Sequence, residues 1–378
     1  MFEYFPDNYN WSLATALAIG MGGELTEIDA ACRPLRPFAG AATTDDAQRV
    51  WIDAWSAVAQ RTREAAERDE ALNHVRSAAR KWRRVAIYEL MAERMISNGE
   101  PAKNATYRRA LEALARWRNV FLPHGEPSAV PFEGSVLPSL FLPAPRPGAK
   151  PVVIAWNGFD VTKEFLLLLG VDDWTKRGLS VLICDQPGSG EALRFHGLTA
   201  RLDTEVAARA CIDHLAVRAD VDPTRIGITG ISMGGYYAPR AAAFEPRLAA
   251  CAAWGAFHDL RGVLANLERT GAHSAPPFQG PWVFGLEDQP ENRAAVLSAM
   301  TLDEVAPEIT CPLLVLHGES DRQVPVEQAH RTIAAASHAA KRELRIIPRG
   351  EPGDQHCQVD LPSVAIDVLG EWFAEVLG

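Results

Sequence analysis

Gly230-Ile231-Ser232-Met233-Gly234 sets a serine between two glycines at the spacing Gly-x-Ser-x-Gly. That spacing suits a hydroxyl carried on a sharp strand-to-helix turn, because the small residues let the backbone reverse and leave Ser232 Oγ exposed. A serine hydroxyl is a weak nucleophile at neutral pH, so the chemistry needs a base to take its proton and an acid to orient that base. Two later stretches supply them. His317-Gly318-Glu319-Ser320-Asp321 follows the apolar run Leu313–Leu316, and Gly353-Asp354-Gln355-His356-Cys357 follows Leu344–Ile347. Asp321 is the expected acid and His356 the expected base. His317 stands where a strand ends and is read as bonding the turn, Asp354 as shaping its loop, and Glu319 as a second choice of acid. His196, His258 and His273 are further candidates to line a pocket. An attacked carbonyl also needs two backbone donors for its developing negative oxygen. Met233, the residue after the nucleophile, offers one. The other is expected from Phe159 in the loop Trp156-Asn157-Gly158-Phe159-Asp160, where Gly158 lets the backbone turn an N–H inward.

These residues meet only if a sheet gathers their loops at one end. Beyond Pro123, short β-branched runs alternate with helical stretches, the pattern of an α/β sheet. Val130–Phe132 and Leu137–Leu142 read as an antiparallel pair joined near Gly134. Val152–Ala155, Val181–Cys184, Ile226–Thr229, Ala249–Ala253, Leu313–Leu316 and Leu344–Ile347 read as buried strands, since unbroken apolar runs of this length suit parallel strands covered on both faces. Helical stretches are expected near Glu164–Arg177, Thr204–Ala219, Gly235–Ala243, Val326–Ala335 and Ser363–Val376. The order Ser, Asp, His along the chain is that of the α/β-hydrolases, with a mostly parallel, doubly wound sheet.

From Thr44 to Leu122 the grammar is different. Apolar residues recur at spacings of three and four, and Gly99 is the one glycine, so this part is helical. Asp45 or Asp46 is expected to cap a first helix through Val50, Trp51, Ala54, Trp55 and Val58. Val75 to Met95 marks a second, which Asn98-Gly99-Glu100-Pro101 stops, and Tyr107 to Trp117 a third, ending before Pro123. No repeat of tetratricopeptide length is present. The boundary falls near residue 123, giving a helical domain of residues 1–122 and a catalytic domain of residues 123–378. A chain of 378 residues, at about 150 per domain, fits this division.

Composition narrows the function classes. Apolar residues at 47% and charged residues at 23% are ordinary globular values and exclude disorder, collagen and coiled coil for the whole chain. Lys plus Arg is 38 against 48 for Asp plus Glu, a net charge of −10 that would repel a phosphate backbone. The basic run Arg76–Arg84 lies inside a helical pattern and reads as a solvated face, so nucleic acid is not an expected partner. The start Met-Phe-Glu-Tyr-Phe-Pro-Asp lacks the basic residues of a signal peptide, and the apolar stretch Trp11–Met21 is too short to span a bilayer. Six scattered cysteines without a CxxC pair read as reduced thiols. A cytoplasmic location, a small-molecule substrate, no membrane, no metal and no cofactor are the expectations.

One family carries these features together. Asn157-Gly158-Phe159-Asp160-Val161-Thr162-Lys163-Glu164, Asp185-Gln186-Pro187-Gly188-Ser189-Gly190-Glu191, Ser232 to Ala238, Glu245 to Cys251 and the Asp321 and His356 loops resemble the 2,6-dihydroxypseudooxynicotine hydrolase family. Its relatives include the fungal yellowish-green pigment hydrolases that shorten polyketides and the fermentation-respiration switch proteins. The resemblance implies an N-terminal helical cap and serine-dependent cleavage of a carbon–carbon bond beside a carbonyl, in a β-dicarbonyl, acyl-phenol or polyketide-like substrate. It also implies an additional acidic residue in the pocket. Glu268 is the expected one, in a stretch whose length differs from the family's, with Asp259 behind it. Asp160, Tyr236, Trp254, Phe257 and His258, standing in or beside these motifs, are the expected pocket residues. Tyr88, Trp82 and Trp282 are further aromatic candidates whose alternative is plain core. A homodimer is left open. The competing function is a carboxylesterase or amide hydrolase, which needs the same serine, histidine and aspartate without the additional acid; a non-catalytic binding protein would be expected to lack one of the three.

Overall fold

The computed structural model describes residues 2–41, 44–287 and 290–378, which form two compact units. The first comprises Met1–Gly125 with Ala272–Gln279, and the second Glu126–Gly271 with Gly280–Gly378. The segment 272–279 thus belongs to the helical unit, although it lies far beyond the boundary near residue 123 expected from the sequence.

In the helical unit Tyr9–Gly20, Leu25–Cys32, Asp45–Ala71, Val75–Glu93 and Pro101–Phe121 are α-helices. The first two lie ahead of the stretch read as helical. Tyr9–Gly20 is buried along most of its length, so the short apolar run Trp11–Met21 is core. Asp45 and Asp46 sit in the first turn of their helix rather than at its cap. Thr44 holds the cap, its hydroxyl accepting from the Ala47 N–H at 3.3 Å, and the two acids complement the positive helix start. Trp11, Trp51, Trp55 and Tyr88 run through the core with successive ring centroids 5.1, 5.5 and 5.8 Å apart. Trp51 also donates its indole N–H to the Met91 carbonyl at 2.7 Å, tying Asp45–Ala71 to Val75–Glu93. Buried Glu89 receives the Arg109 guanidinium through two hydrogen bonds at 2.9 Å and Arg63 through a third at 3.1 Å. The segment 272–279 is held by Asn98, whose side chain donates to the Phe278 carbonyl at 3.1 Å, and by Arg94 at Ser274.

The second unit is built on one eight-stranded sheet: β1 Glu126–Phe132, β2 Ser135–Leu142, β3 Lys150–Trp156, β4 Ser180–Cys184, β5 Val221–Ile231, β6 Leu248–Trp254, β7 Leu313–Gly318 and β8 Arg342–Ile347. Their order is β1-β2-β4-β3-β5-β6-β7-β8. β1 pairs with β2, and β2 with β4, in antiparallel fashion; every later pairing is parallel. β3, β4 and β7 are buried at every position, which is why they read as unbroken apolar runs. β8 is an edge strand, and its alternating Arg342, Glu343 and Arg345 keep that edge charged. The helices Lys163–Leu169, Thr204–Ala216, Gly234–Phe244, Val326–Ala335 and Pro362–Leu377 match the expected stretches, with Val171–Arg177 continuing the first as a 3₁₀ turn. Gly190–His196 and Leu260–Thr270 were not anticipated. No described helix is long and apolar enough to cross a membrane.

Candidate active site

Parallel strands all point one way, so the loops leaving their carboxyl ends cluster along one rim of the sheet. Ser232 follows β5, Phe159 follows β3, Asp321 follows β7 and His356 follows β8. Ser232 occupies the left-handed region, with φ of 57°. A non-glycine residue held there is strained, and its surroundings have to compensate. The Ser232 N–H donates to the Trp254 carbonyl at 2.8 Å, and the Ser232 carbonyl accepts from the Gly235 N–H at 2.7 Å. The turn is tight enough that a Cβ on Gly230 would stand 2.3 Å from the Gly234 carbonyl oxygen, so the first glycine of the motif is required by contact.

Ser232 Oγ lies 2.9 Å from His356 Nε2, and His356 Nδ1 lies 2.7 Å from Asp321 Oδ2. The other carboxylate oxygen of Asp321 accepts from the N–H groups of Gln323 and Val324 at 2.8 and 2.9 Å. Both lone-pair faces of the acid are therefore committed, and the imidazole Nδ1 is left to donate. Burial disfavours the His356 cation, but the Asp321 carboxylate overrides it and holds the ring well above the ordinary imidazole range. Burial likewise works to raise Asp321, and the charge and hydrogen bond of His356 bring it below the usual carboxylate value. Together the three can move a proton from Ser232 Oγ to Nε2 while the carboxylate stabilises the resulting imidazolium.

His317 is fully buried in a structural bond network. Its Nδ1 accepts from the Ala256 N–H at 3.1 Å, so its Nε2 carries the proton and donates to the Val324 carbonyl at 2.9 Å. Burial lowers its pKa, which keeps the ring neutral. Asp354 accepts from the Gly350 N–H at 2.9 Å and shapes its loop, and Glu319 is exposed and accepts from the Arg349 N–H at 2.7 Å.

The loop after β3 presses against the serine. A Cβ on Gly158 would come 2.9 Å from Ser232 Cβ and 3.4 Å from the Met233 nitrogen. Among the described residues neither the Met233 nor the Phe159 N–H has a protein acceptor. The two expected donors thus lie on adjoining loops with their hydrogens uncommitted.

Several expected pocket residues have other work. Glu268 is exposed on Leu260–Thr270, whose buried face is Leu260, Val263 and Asn266, and no hydrogen bond or ion pair links it to Ser232, His356 or Asp321. Helical periodicity turns position 268 away from that buried face. Asn266 is the inward polar residue instead, donating to the Arg322 and Gln323 carbonyls at 2.9 Å each. Asp259 caps the same helix by accepting from the Gly262 N–H at 2.6 Å and pairs with Arg331. His258 is buried and bonded on both nitrogens, to Thr332 Oγ1 at 3.2 Å and to Asp303 Oδ1 at 2.9 Å. Trp254 braces the His356 loop, its indole N–H reaching Gln358 Oε1 at 3.0 Å. Tyr236 and Phe257 belong to the main core, and Trp82 and Tyr88 to the core of the helical unit. His196 and His273 are exposed. Asp160 is buried beside the Phe159 amide and bound by Arg194 at 2.7 Å, and Arg194 lies over the Trp282 ring at 5.3 Å from its centroid.

One neighbour of the histidine carried no chemical signal of its own. Cys357 Sγ lies 3.5 Å from His356 Nε2, and the loop passes through positive φ at both Cys357 and Gln358. Only the fold of the loop brings that thiol to the imidazole. Among the described residues no group of three or more His, Cys, Asp or Glu side chains is placed to hold a metal ion.

Comparison with known proteins agrees with this architecture. Residues 170–364 match the model of the prolyl oligopeptidase family. The chain is 29% identical over 324 residues to the 2,6-dihydropseudooxynicotine hydrolase of Paenarthrobacter nicotinovorans, covering 80% of this chain and 83% of that protein. It is 29% identical over 304 residues to the 20-hydroxy-prefusarin hydrolase of Gibberella moniliformis, covering 70% and 72%. The crystal structure of the 2,6-dihydroxy-pseudo-oxynicotine hydrolase superposes with a TM-score of 0.75 at 25% identity, covering 96% of this chain and 95% of that one.

Proposed function

The chain belongs to the prolyl oligopeptidase family and is an α/β-hydrolase, and from that premise we propose that it is a serine hydrolase cleaving a carbon–carbon bond beside a carbonyl of a small molecule. The observation that carries the serine mechanism is the continuous hydrogen-bonded chain from Ser232 Oγ through His356 to Asp321. Relatives that act on 2,6-dihydropseudooxynicotine and 20-hydroxy-prefusarin favour a hydroxylated, ketone-bearing or polyketide-like substrate over a peptide.

In this reading His356 Nε2 takes the hydroxyl proton as Ser232 Oγ adds to the carbonyl carbon, and the N–H groups of Met233 and Phe159 receive the oxyanion. Collapse of the tetrahedral adduct breaks the carbon–carbon bond. Its electron pair leaves on carbon as an enolate or phenol-like carbanion, which is protonated by the His356 imidazolium. Water, deprotonated by the same imidazole, then attacks the acyl-serine, releasing the acid and restoring Ser232. Because Glu268 is exposed, the proton for the leaving carbon is assigned to His356 alone.

That exposure also favours a second reading, an ester or amide hydrolase. Such an enzyme needs no additional acid in its pocket. Turnover of matched β-diketones, acyl-phenols and esters, with products weighed by mass spectrometry, separates the two. Carbon–carbon scission products from the diketone support the first reading, and turnover of esters alone overturns it. In either case a fluorophosphonate is expected to label Ser232, and Ser232→Ala to abolish both labelling and turnover. Labelling at a different serine would remove the mechanism.

A further inference from the structure

Backbone donors stabilise an oxyanion only if they are held in place before the reaction, since reorienting them during it costs the energy they would supply. Met233 stands at the start of the helix Gly234–Phe244, which fixes it. Phe159 has no such support, because residues 157–162 form a loop between β3 and Lys163–Leu169. What holds that loop comes from the segment after β4. Gln186 is 2% exposed and pairs with Asn157 as a neighbouring strand would: its Nε2 donates to the Asn157 carbonyl at 2.9 Å, and its Oε1 accepts from the Asn157 N–H at 3.2 Å. Asp185, fully buried, accepts from the Asn157 side chain at 3.0 Å and from the Lys163 N–H at 2.7 Å. On the other side of Phe159, Asp160 sits at φ of 47°, a strained position for a non-glycine residue, and its carboxylate is gripped by buried Arg194.

We propose that Gln186 and Arg194 are positioning residues for the oxyanion hole, clamping Asn157 and Asp160 on either side so that the Phe159 N–H faces Ser232. This rests on the serine mechanism proposed above. A buried ion pair is poor evidence of stability, because its desolvation offsets its attraction. Its place next to the donor is what it contributes. The Gln186–Asn157 pair likewise uses two polar side-chain atoms of a buried residue to fix the peptide groups on both sides of Asn157, two residues before the donor.

The test is the rate at which a fluorophosphonate labels Ser232, since attack at phosphorus loads negative charge on the oxygen that enters the hole. Gln186→Leu removes both bonds at similar volume. Arg194→Met combined with Asp160→Asn removes the pair without leaving a buried charge. Each is expected to lower the limiting labelling rate by about tenfold to a hundredfold, part of the about 10²–10³ that a lost hole donor costs. The probe concentration giving half that rate should change less than twofold. A thermal melt keeps loss of fold apart from loss of rate, and if Gln186→Leu does not fold, Gln186→Glu replaces it, keeping size while putting an acceptor against the Asn157 carbonyl. Folded variants with labelling rates within twofold of wild type overturn the proposal, as does a loss confined to the half-saturating concentration. Absence of labelling in the wild type would instead overturn the serine mechanism, and the positioning proposal with it.

Discussion

His356 is pulled in two directions, and the balance sets a measurable pH dependence. Burial works against its charged form, while Asp321 at 2.7 Å works for it and prevails. The neutral ring is the base, so activity rises with pH as the imidazolium loses its proton. With the pKa raised, the midpoint of the acid limb in kcat/KM is expected above the ordinary imidazole value of about 6.5. Asp321→Asn removes the charge that raises it. The midpoint should then fall, yet kcat should drop by about 10⁴, because an amide no longer holds the ring with its Nδ1 protonated. An acid limb at or below the ordinary value in the unaltered protein would contradict this assignment of the base. Asp321, His356 and Ser232 were readable as candidates because each residue type has few alternatives in its loop. Glu268 was not, since a glutamate on a helix looks the same whether it faces a pocket or water.

At the scale of elements, the sharp turn between β5 and Gly234–Phe244 is defined by contact. Gly230→Ala places a methyl against the backbone of Gly234 on the following helix, with nothing able to swing aside. A loss of about 1–3 kcal/mol in urea unfolding is expected, the range for forced overpacking, together with reduced activity. An unchanged midpoint would mean that the turn is looser than drawn. The helix Asp45–Ala71 offers a separate check. Thr44→Ala should destabilise by about 1 kcal/mol by removing the bond to the Ala47 N–H, whereas Asp45→Ala should cost only about 0.3–1 kcal/mol through the helix dipole. The reverse order would restore the aspartate as the cap. The strands were legible because apolar runs mark burial on both faces; the start of β5 was not, because Val221 pairs with Lys150 ahead of an irregularity over Asp222, Pro223, Thr224 and Arg225, and the regular ladder resumes only at Ile226.

For the whole molecule, the helical unit is not continuous in sequence, since it recruits residues 272–279 from far along the chain. Deleting residues 1–125 removes Asn98 and Arg94, which hold that segment. Limited proteolysis of the shortened chain is expected to cut within 272–279 faster than in the full chain; identical cleavage maps would refute this. By itself the sequence determined the change from helical to α/β grammar near residue 123, the strands of the sheet and the order Ser, Asp, His, all written in local periodicity and in motifs only a few residues long. Tertiary structure alone decided which polar residues face one another: that His317 spends both nitrogens on backbone, that Gln186 clamps Asn157, that Arg194 grips Asp160 and that Cys357 meets His356. The Gln186–Asn157, Arg194–Asp160 and His317–Ala256 pairings join segments that lie in or follow different strands, while the Cys357–His356 contact lies within one loop that turns through positive φ; sheet order and loop conformation fix these partners, and neither has a period that a single chain displays.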